Sequence, residues 1–479
     1  MNFGRFLFGP RIAAMIWLTW KAAFRFRLFL VVAVLLLASV VGLPLLLKDD
    51  GTARGFTQIL LTYTLTTVAA LLGLSTLWLS CGTLARDIEE QQMQMLVVKP
   101  VPRWQIWLGK WLGIITLDAA LLAISGVCIC ALLEWRATRL PPEEQAVLRS
   151  QILVARASVK EKDWNADIDK VTEQVLAERE KQAQTASQTT LTDADRAEAR
   201  KLIRDQVKAQ YEGIPGGAVR VWEINLGLRR LFLRGRPLQV RFKFNSSVKS
   251  PSGTFPGLWQ VGVPEKTRVW RSDAMSLAPD SFHEFEIPAD LFDDNGLLTV
   301  AFFNPPDNPT LLFPLEDGFE VLYPEGGFAL NFTRGLGIIL CWMALLSAVG
   351  LACASFLSFP VAAFCSLAVL TVALSSGTLS NVVSEGSVLG TNSDSSEAAK
   401  TAESALDTVV LPAFRGALAV INLAEKFSPI DSLSTGRSIT WATLGLAFAQ
   451  IVLLLGGVAA GFGMIVFTRR ELAAAQSAQ

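Results

Sequence analysis

Residues 84–113 read L-A-R-D-I-E-E-Q-Q-M-Q-M-L-V-V-K-P-V-P-R-W-Q-I-W-L-G-K-W-L-G. The stretch sits between two apolar segments that are each long enough to cross a bilayer, yet it is charged and carries Pro100 and Pro102. Leu84, Ile88, Met95 and, one row over, Leu96 share a helical face, while Arg86, Asp87, Glu89, Glu90 and Gln94 fall largely elsewhere. This spacing predicts an amphipathic helix over 84–98, lying along or just below the membrane. Each proline lacks an N–H and restricts the residue before it, so the chain must turn between Lys99 and Arg103. Trp104, Trp107 and Trp111 then mark the headgroup level, where an indole keeps one polar edge wet. On pattern alone the stretch is a cytoplasmic loop with an interfacial helix.

Composition supports a membrane chain with one large polar insertion. The 479 residues are 51% hydrophobic, with a mean hydropathy of +0.39, and 43 basic residues balance 43 acidic ones. A balanced charge gives no footprint for nucleic acid, which is not expected as a partner. Cys81, Cys128, Cys130, Cys341, Cys353 and Cys365 all fall in or beside apolar segments, and the single histidine is His283. No disulfide framework and no Cys/His metal spacing is therefore expected. The first apolar run begins at Leu28 and approaches the ~20 residues a span needs, without a small-x-small exit. It is expected to stay as an anchor.

Six spans are expected, over 28–47, 56–80, 108–133, 335–357, 361–380 and 439–466. Arg25, Arg27, Arg86, Lys99, Arg103, Lys110, Arg469 and Arg470 flank one side, which the positive-inside bias assigns to the cytoplasm. Both termini and the 84–107 loop are then cytoplasmic, and 134–332 and 381–438 lie outside. Residues 1–27 interleave basic and aromatic side chains, as an interfacial helix on an anionic leaflet does. The expected parts are this helix, spans one to three over 28–133, a helical arm over 134–218, a β-sandwich over 219–332, spans four and five over 333–380, an outer loop over 381–438, and the last span with its tail over 439–479.

Within the outer insertion, Pro141 to Tyr211 is rich in Ala, Glu, Lys, Gln and Arg. The reading is a long helix, a turn around 185–192 and a return helix opened by Thr192-Asp193-Ala194-Asp195, ending near Gly213. After Pro215, Gly216 and Gly217 the period becomes two: V-R-V-W-E-I, L-Q-V-R-F-K-F, F-H-E-F-E-I and L-L-T-V-A-F-F are strands. Several short strands at this spacing predict a β-sandwich, jelly-roll-like. Trp222, Trp259 and Trp270 are candidates for stacking on a ligand, with a place in the sandwich core as the competing reading. In the second outer loop, the apolar run 411–423 is too short to cross comfortably; it either re-enters the membrane or lies on its outer surface.

No Gly-x-x-x-x-Gly-Lys-Ser/Thr and no Gly-x-Ser-x-Gly occurs, so neither a nucleotide loop nor a hydrolase nucleophile is offered by this chain. His283 reads as structural. Asp118 is the one ionisable residue well inside an expected span. A carboxylate at membrane depth usually faces a bundle interior or a water-filled path, which makes Asp118 a candidate for a transport path, with pairing to a Thr or Ser of a neighbouring helix or a place near the cytoplasmic rim as the competing readings.

The acidic cluster, the short helix ending in Leu-Val-Val-Lys, the Pro-Val-Pro-Arg turn and Gly109-Lys110 together resemble the first cytoplasmic loop of permeases of the type-2 ABC exporter family. Gln91 and Gln92 stand where that family has Gly-Thr. Residues 19–27, T-W-K-A-A-F-R-F-R, resemble the family's helix before the first span, and 465–472, I-V-F-T-R-R-E-L, its terminal Phe-x-Arg-Arg-Glu-Leu. The resemblance covers the membrane part and is silent on the insert between Glu134 and Thr333. It implies that Asp87, Glu89, Glu90, Pro100, Arg103, Gly109 and Lys110 belong to a coupling helix and turn that dock on a separate ABC ATPase. On that implication ATP-Mg is held by the partner, a second permease copy or paralogue completes the path, and 411–423 closes its outer mouth. The chain itself is then no enzyme, and its place is a bacterial inner membrane with the insertion in the periplasm or outside the cell. The alternative expectation is a non-transporting anchor whose outer region binds an envelope polymer or protein.

Overall fold

The computed structural model describes residues 3–25, 27–46, 53–91, 101–149, 153–187, 193–246, 248, 253–385 and 397–470. The chain divides into a helical unit, Met1–Ala155 with Gly326–Gln479, and a second unit, Arg156–Glu325, inserted between its halves.

The helical unit opens with α1 (Phe3–Arg25), broken at Gly9 with φ +72° and restarted by Pro10. Next come α2 (Arg27–Leu46), α3 (Ala53–Glu89), α4 (Arg103–Ala137) and α5 (Pro142–Val147). After the insertion follow α8 (Phe328–Ala354), α9 (Phe359–Leu374), α10 (Ser376–Glu385), α11 (Glu397–Glu425), α12 (Pro429–Ser434) and α13 (Trp441–Arg469), the last with a π-helical stretch over Phe448–Gly456. Among the described residues four helices are long and apolar enough to cross a membrane: most of α3 (Thr57–Glu89), α4, α8 and α13. Among the described residues the structure thus supports four of the six expected spans, those over 56–80, 108–133, 335–357 and 439–466. The apolar stretches Val31–Leu43 in α2 and Phe359–Leu374 are shorter. The sixteen residues of α9 reach only about 24 Å at ~1.5 Å per residue, against a hydrocarbon core of ~30 Å. The expected fifth span breaks at Ser375, whose φ −89° and ψ 17° end α9.

Close packing in this unit comes from small residues. Gly109 and Gly113 lie four apart on α4, where a Cβ would come within 2.5 Å of Met15 Cβ and 2.7 Å of Thr19 Cβ. The two backbones approach there because no side chain separates them, as in membrane helix pairs built on Gly-x-x-x-Gly. On α1, Met15, Thr19 and Ala23 are buried while Trp17, Leu18 and Phe24 are exposed, and Trp20 Nε1 donates to Thr116 Oγ1 on α4 at 3.0 Å. The run 411–423 is not a short separate helix: it lies inside α11, which continues through Pro412.

The inserted unit corrects the reading of its first part. The stretch before the expected turn at 185–192 is not one long helix but α5, then a strand, β1 (Val154–Val159), then α6 (Asn165–Ser187), while the expected return helix is α7 (Asp193–Glu212). Ile168, Leu176, Ile203 and Val207 close the hairpin. The strands that follow are β2 (Gly213–Ile214), β3 (Val219–Asn225), β4 (Leu238–Phe242), β5 (Asn245–Ser246), β6 (Phe255–Val261), β7 (Trp270–Arg271), β8 (Met275–Leu277), β9 (His283–Ile287), β10 (Leu297–Phe303), β11 (Leu311–Leu312) and β12 (Phe319–Gly327). One sheet runs β1-β12-β4-β9, a second β3-β10-β6-β7 with β8 beside β6, and a short third β2-β11-β5. Facing side chains of the two larger sheets share one core, including Trp222, Trp259, Phe242, Phe302 and Val321. This is a β-sandwich. Its alternation is visible in register: Val300 pairs Trp222 and Val261, all buried, whereas Ala301 pairs the exposed Val221.

Candidate functional site

Residues 84–91 and 101–113 carry a polar assembly of the helical unit. Leu84 and Ala85 are buried and Ile88 is half-buried, so the residues expected to begin a separate interfacial helix extend α3 to Glu89. The helix ends at Gln91, whose φ is +59°. Non-glycine residues pay for that conformation sterically, and helices usually place glycine there. Residues 92–100, Pro100 among them, lie outside the described residues. Arg103 opens α4 directly after Pro102, which caps it in an extended conformation.

Five helix ends are tied together here. Lys110 Nζ, buried on α4, donates to Thr83 O at 2.8 Å and to Asp87 Oδ2 at 2.5 Å, which clamps α4 to α3. Glu89 Oε1 accepts from Phe359 N at 2.8 Å, supplying an orphan amide at the start of α9 with an acceptor. Arg86 stacks its guanidinium 4.5 Å from the centre of the Phe359 ring, and Trp78 meets the same ring edge-on at 5.1 Å. Arg103 Nη1 donates to Phe467 O, Thr468 O and Arg470 O at 3.3, 2.8 and 2.9 Å, satisfying carbonyls at the end of α13 and placing its charge at the negative end of that helix. Arg470 Nη1 in turn donates to Ser355 O just past α8 at 3.1 Å. Asp87, Glu89, Arg103 and Lys110 are thus brought together as internal fasteners, Gly109 lies under α1, and Glu90 is exposed.

Asp118 lies deeper, on α4, at 1% exposure. Thr76 Oγ1 of α3 is 2.9 Å from Asp118 Oδ2 and 3.7 Å from Met343 Sδ of α8. Asp118 Oδ1 has no hydrogen-bond partner among the described residues. The carboxyl is enclosed by helices in this conformation rather than presented to an open path.

In the inserted unit the candidate tryptophans separate. Trp222 and Trp259 are 2% and 1% exposed. Trp222 stacks on Phe319 at 4.4 Å and 8°, and Trp259 meets Phe242 at 4.4 Å and Phe302 at 4.8 Å. Core partners cover the faces of both rings. Trp270 is half-buried and stacked on Phe285 at 5.7 Å. His283 Nε2 donates to Ala278 O at 2.7 Å and lies 3.1 Å from Ser281 Oγ, and the ring packs against Phe242 and Phe244.

Sequence reasoning missed two features of this unit. The outward face of the β3-β10-β6-β7 sheet forms a groove of about 500 Å³ lined by Val219, Val221, Leu258, Ala301 and Phe303, with Gln260 and Arg271 paired at 3.1 Å along it. On the β1-β12-β4-β9 sheet, facing away from the aromatic core, Arg156 Nη1 meets Glu284 Oε2 at 2.9 Å, and Arg241 bridges Glu284 at 3.7 Å and Glu320 at 3.5 Å, all nearly buried. Arg241 opposes Glu320 and Glu284 in strand register, so the signal was present only in a pairing that the sequence does not specify. Comparison with known proteins finds no matching family model, no similar curated protein and no similar solved structure.

Proposed function

We propose that this chain is the permease subunit of an ATP-driven ABC transporter, an exporter, that couples to a separate ATPase through residues 84–107. The carrying observation is the stretch 84–113: its resemblance to the family's coupling loop falls on the residues that fasten four of the five helix ends. A push on this loop moves α3 and α4 as one piece through Asp87–Lys110, and reaches α9 through Glu89 and α13 through Arg103. Such linkage suits a rocking transition between two packings of a bundle. The left-handed Gln91 gives further support, because it occupies the backbone shape natural to the glycine that the family has at this position. In this reading α2 and α9 complete a six-span arrangement in a bacterial inner membrane with both ends cytoplasmic, ATP-Mg binds the partner, and two permeases flank the path near Asp118. Glu90, exposed at the end of α3, is the charge to reverse. In the reconstituted complex Glu90→Lys uncouples ATP hydrolysis from transport while the fold survives, and unchanged coupling refutes the loop's role.

The groove supports a second reading, a membrane anchor whose jelly-roll-like sandwich binds an envelope polymer or protein. The long strands β3, β4, β6, β9, β10 and β12 alternate between the two larger sheets, as jelly-roll connections do. Polysaccharide binding by the full chain, lost on Phe303→Asp and without any transport activity, favours this reading.

A further inference from the structure

The segment between β3 and β4 is built unlike the rest of the sandwich surface. Its sequence, Leu226 to Arg236, is L-G-L-R-R-L-F-L-R-G-R. It folds as a 3-10 turn, Gly227–Arg229, running into a single α-turn, Arg230–Leu233. Leu226 and Leu233 are buried in the sandwich core and root the excursion at both ends. Between them Leu228, Leu231 and Phe232 are 80%, 66% and 77% exposed. Isolated exposed leucines are common on any protein, but three large apolar side chains within five residues, all directed to solvent, are not.

The excursion is also fixed in place. Asn225 Oδ1 accepts from Gly227 N at 2.9 Å, Asp290 Oδ1 accepts from Gly235 N at 3.0 Å, and Leu226 N donates to Gly296 O at 2.8 Å. The apolar tips are therefore presented at little further ordering cost. Around them stand Arg229, Arg230, Arg234 and Arg236. Arg234 pairs with the exposed Asp294 at 2.8 Å and Arg229 lies 5.7 Å from the Tyr323 ring, so the four arginines outnumber the carboxylates that contact the excursion, Asp290 and Asp294.

Apolar tips ringed by arginines match a bilayer surface in two ways. The tips enter the boundary between headgroups and acyl chains, and the guanidinium groups stay with anionic headgroups. Arginine is also common at protein interfaces, but four arginines in eleven residues suit a surface that offers many anionic groups at once, as a headgroup layer does. Because the chain carries its own membrane-crossing helices, a bilayer is always present at high effective concentration. We infer that the excursion 226–236 docks the inserted unit onto the anionic headgroup layer of the bilayer that holds the chain, with Leu228, Leu231 and Phe232 inserted.

The test is radical footprinting of the full chain, read by mass spectrometry, in wide nanodiscs of phosphatidylcholine alone and of phosphatidylcholine with phosphatidylglycerol. Labelling of Leu228, Leu231 and Phe232 should fall about fivefold or more in the anionic discs, since surface attraction gives roughly that factor for one arginine. The protection should fade at high salt and in the doubly substituted Arg229→Ser, Arg236→Ser chain. The rooted Leu226 and Leu233 serve as internal controls for folding. Equal labelling in both discs overturns the proposal. Equal protection in both discs also overturns it, by indicating protein contact, and protection that arises only on adding anionic vesicles assigns the excursion to a facing membrane instead.

Discussion

Replacing Asp87 by Asn strips the charged partner from an ammonium that is otherwise enclosed. The Lys110 side chain is 4% exposed and that of Asp87 20%, with 2.5 Å between Nζ and Oδ2. Breaking a fully buried pair by removing one partner costs about 3–5 kcal/mol. The partial exposure of Asp87 lowers the expected loss to about 2–3 kcal/mol, because water reaches part of the site. Lys110→Met is milder, about 1 kcal/mol, since the Asp87 carboxylate rehydrates from its open side and the methionine fills the same channel. The double variant should lose about 1–2 kcal/mol, less than Asp87→Asn alone, giving a coupling near ~2 kcal/mol. Unfolding of the purified chain in mild detergent, followed by tryptophan fluorescence, ranks the four proteins by apparent midpoint. If the double variant falls below Asp87→Asn by the full Lys110→Met decrement, the two residues are independent and the clamp between α3 and α4 is refuted.

Gln91→Gly should stabilise the chain by about 1 kcal/mol, since a left-handed non-glycine costs about 1–2 kcal/mol and glycine returns part of this as chain entropy; a lowered unfolding midpoint argues against the strained turn. Glu320→Ala removes one of the carboxylates paired with the buried Arg241 and should cost about 3 kcal/mol, measurable as loss of folded yield and midpoint. A loss below about 1 kcal/mol contradicts a buried network. Asp293 Oδ1 accepts from Asn295 N at 2.9 Å and Leu297 N at 2.8 Å, and the Leu297 amide chiefly holds its carboxyl below the usual range, with help from Asn295 and Lys266. A depressed folded value adds stability above the unfolded value of ~3.9 that is lost as pH falls through the folded one. Wild type and Asp293→Asn should therefore differ in midpoint above about pH 4 and converge below it; a difference that persists at lower pH contradicts this.

How much of this was legible depends on the range of the interactions. Apolar runs and the change to a period of two are local patterns, so the helical unit and the strands from Val219 onward could be read from them. Lys110 and Asp87 were named from motif position, but that they clamp each other is set by helix packing across 23 residues of chain. β1 was missed because the helix-favouring composition around it outweighed the alternation in V-A-R-A-S-V. Trp222 and Trp259 fall on alternating strand positions that point inward, and that choice of face decides between core and ligand platform. Arg103 reaching the carbonyls of α13 spans more than 360 residues, beyond any pattern in one sequence. The break at Ser375 carries neither proline nor glycine at that position, which is why a fifth span was drawn through it.

The most direct measurement is purification of the full chain from its native membrane in mild detergent, with mass spectrometry of what accompanies it and an assay of ATP hydrolysis. The account predicts a stoichiometric ATPase carrying a phosphate-binding loop, retained by the wild-type chain and released or uncoupled by Glu90→Lys. A folded preparation with no such ATPase, accompanied only by envelope proteins or polymer, contradicts the transporter account.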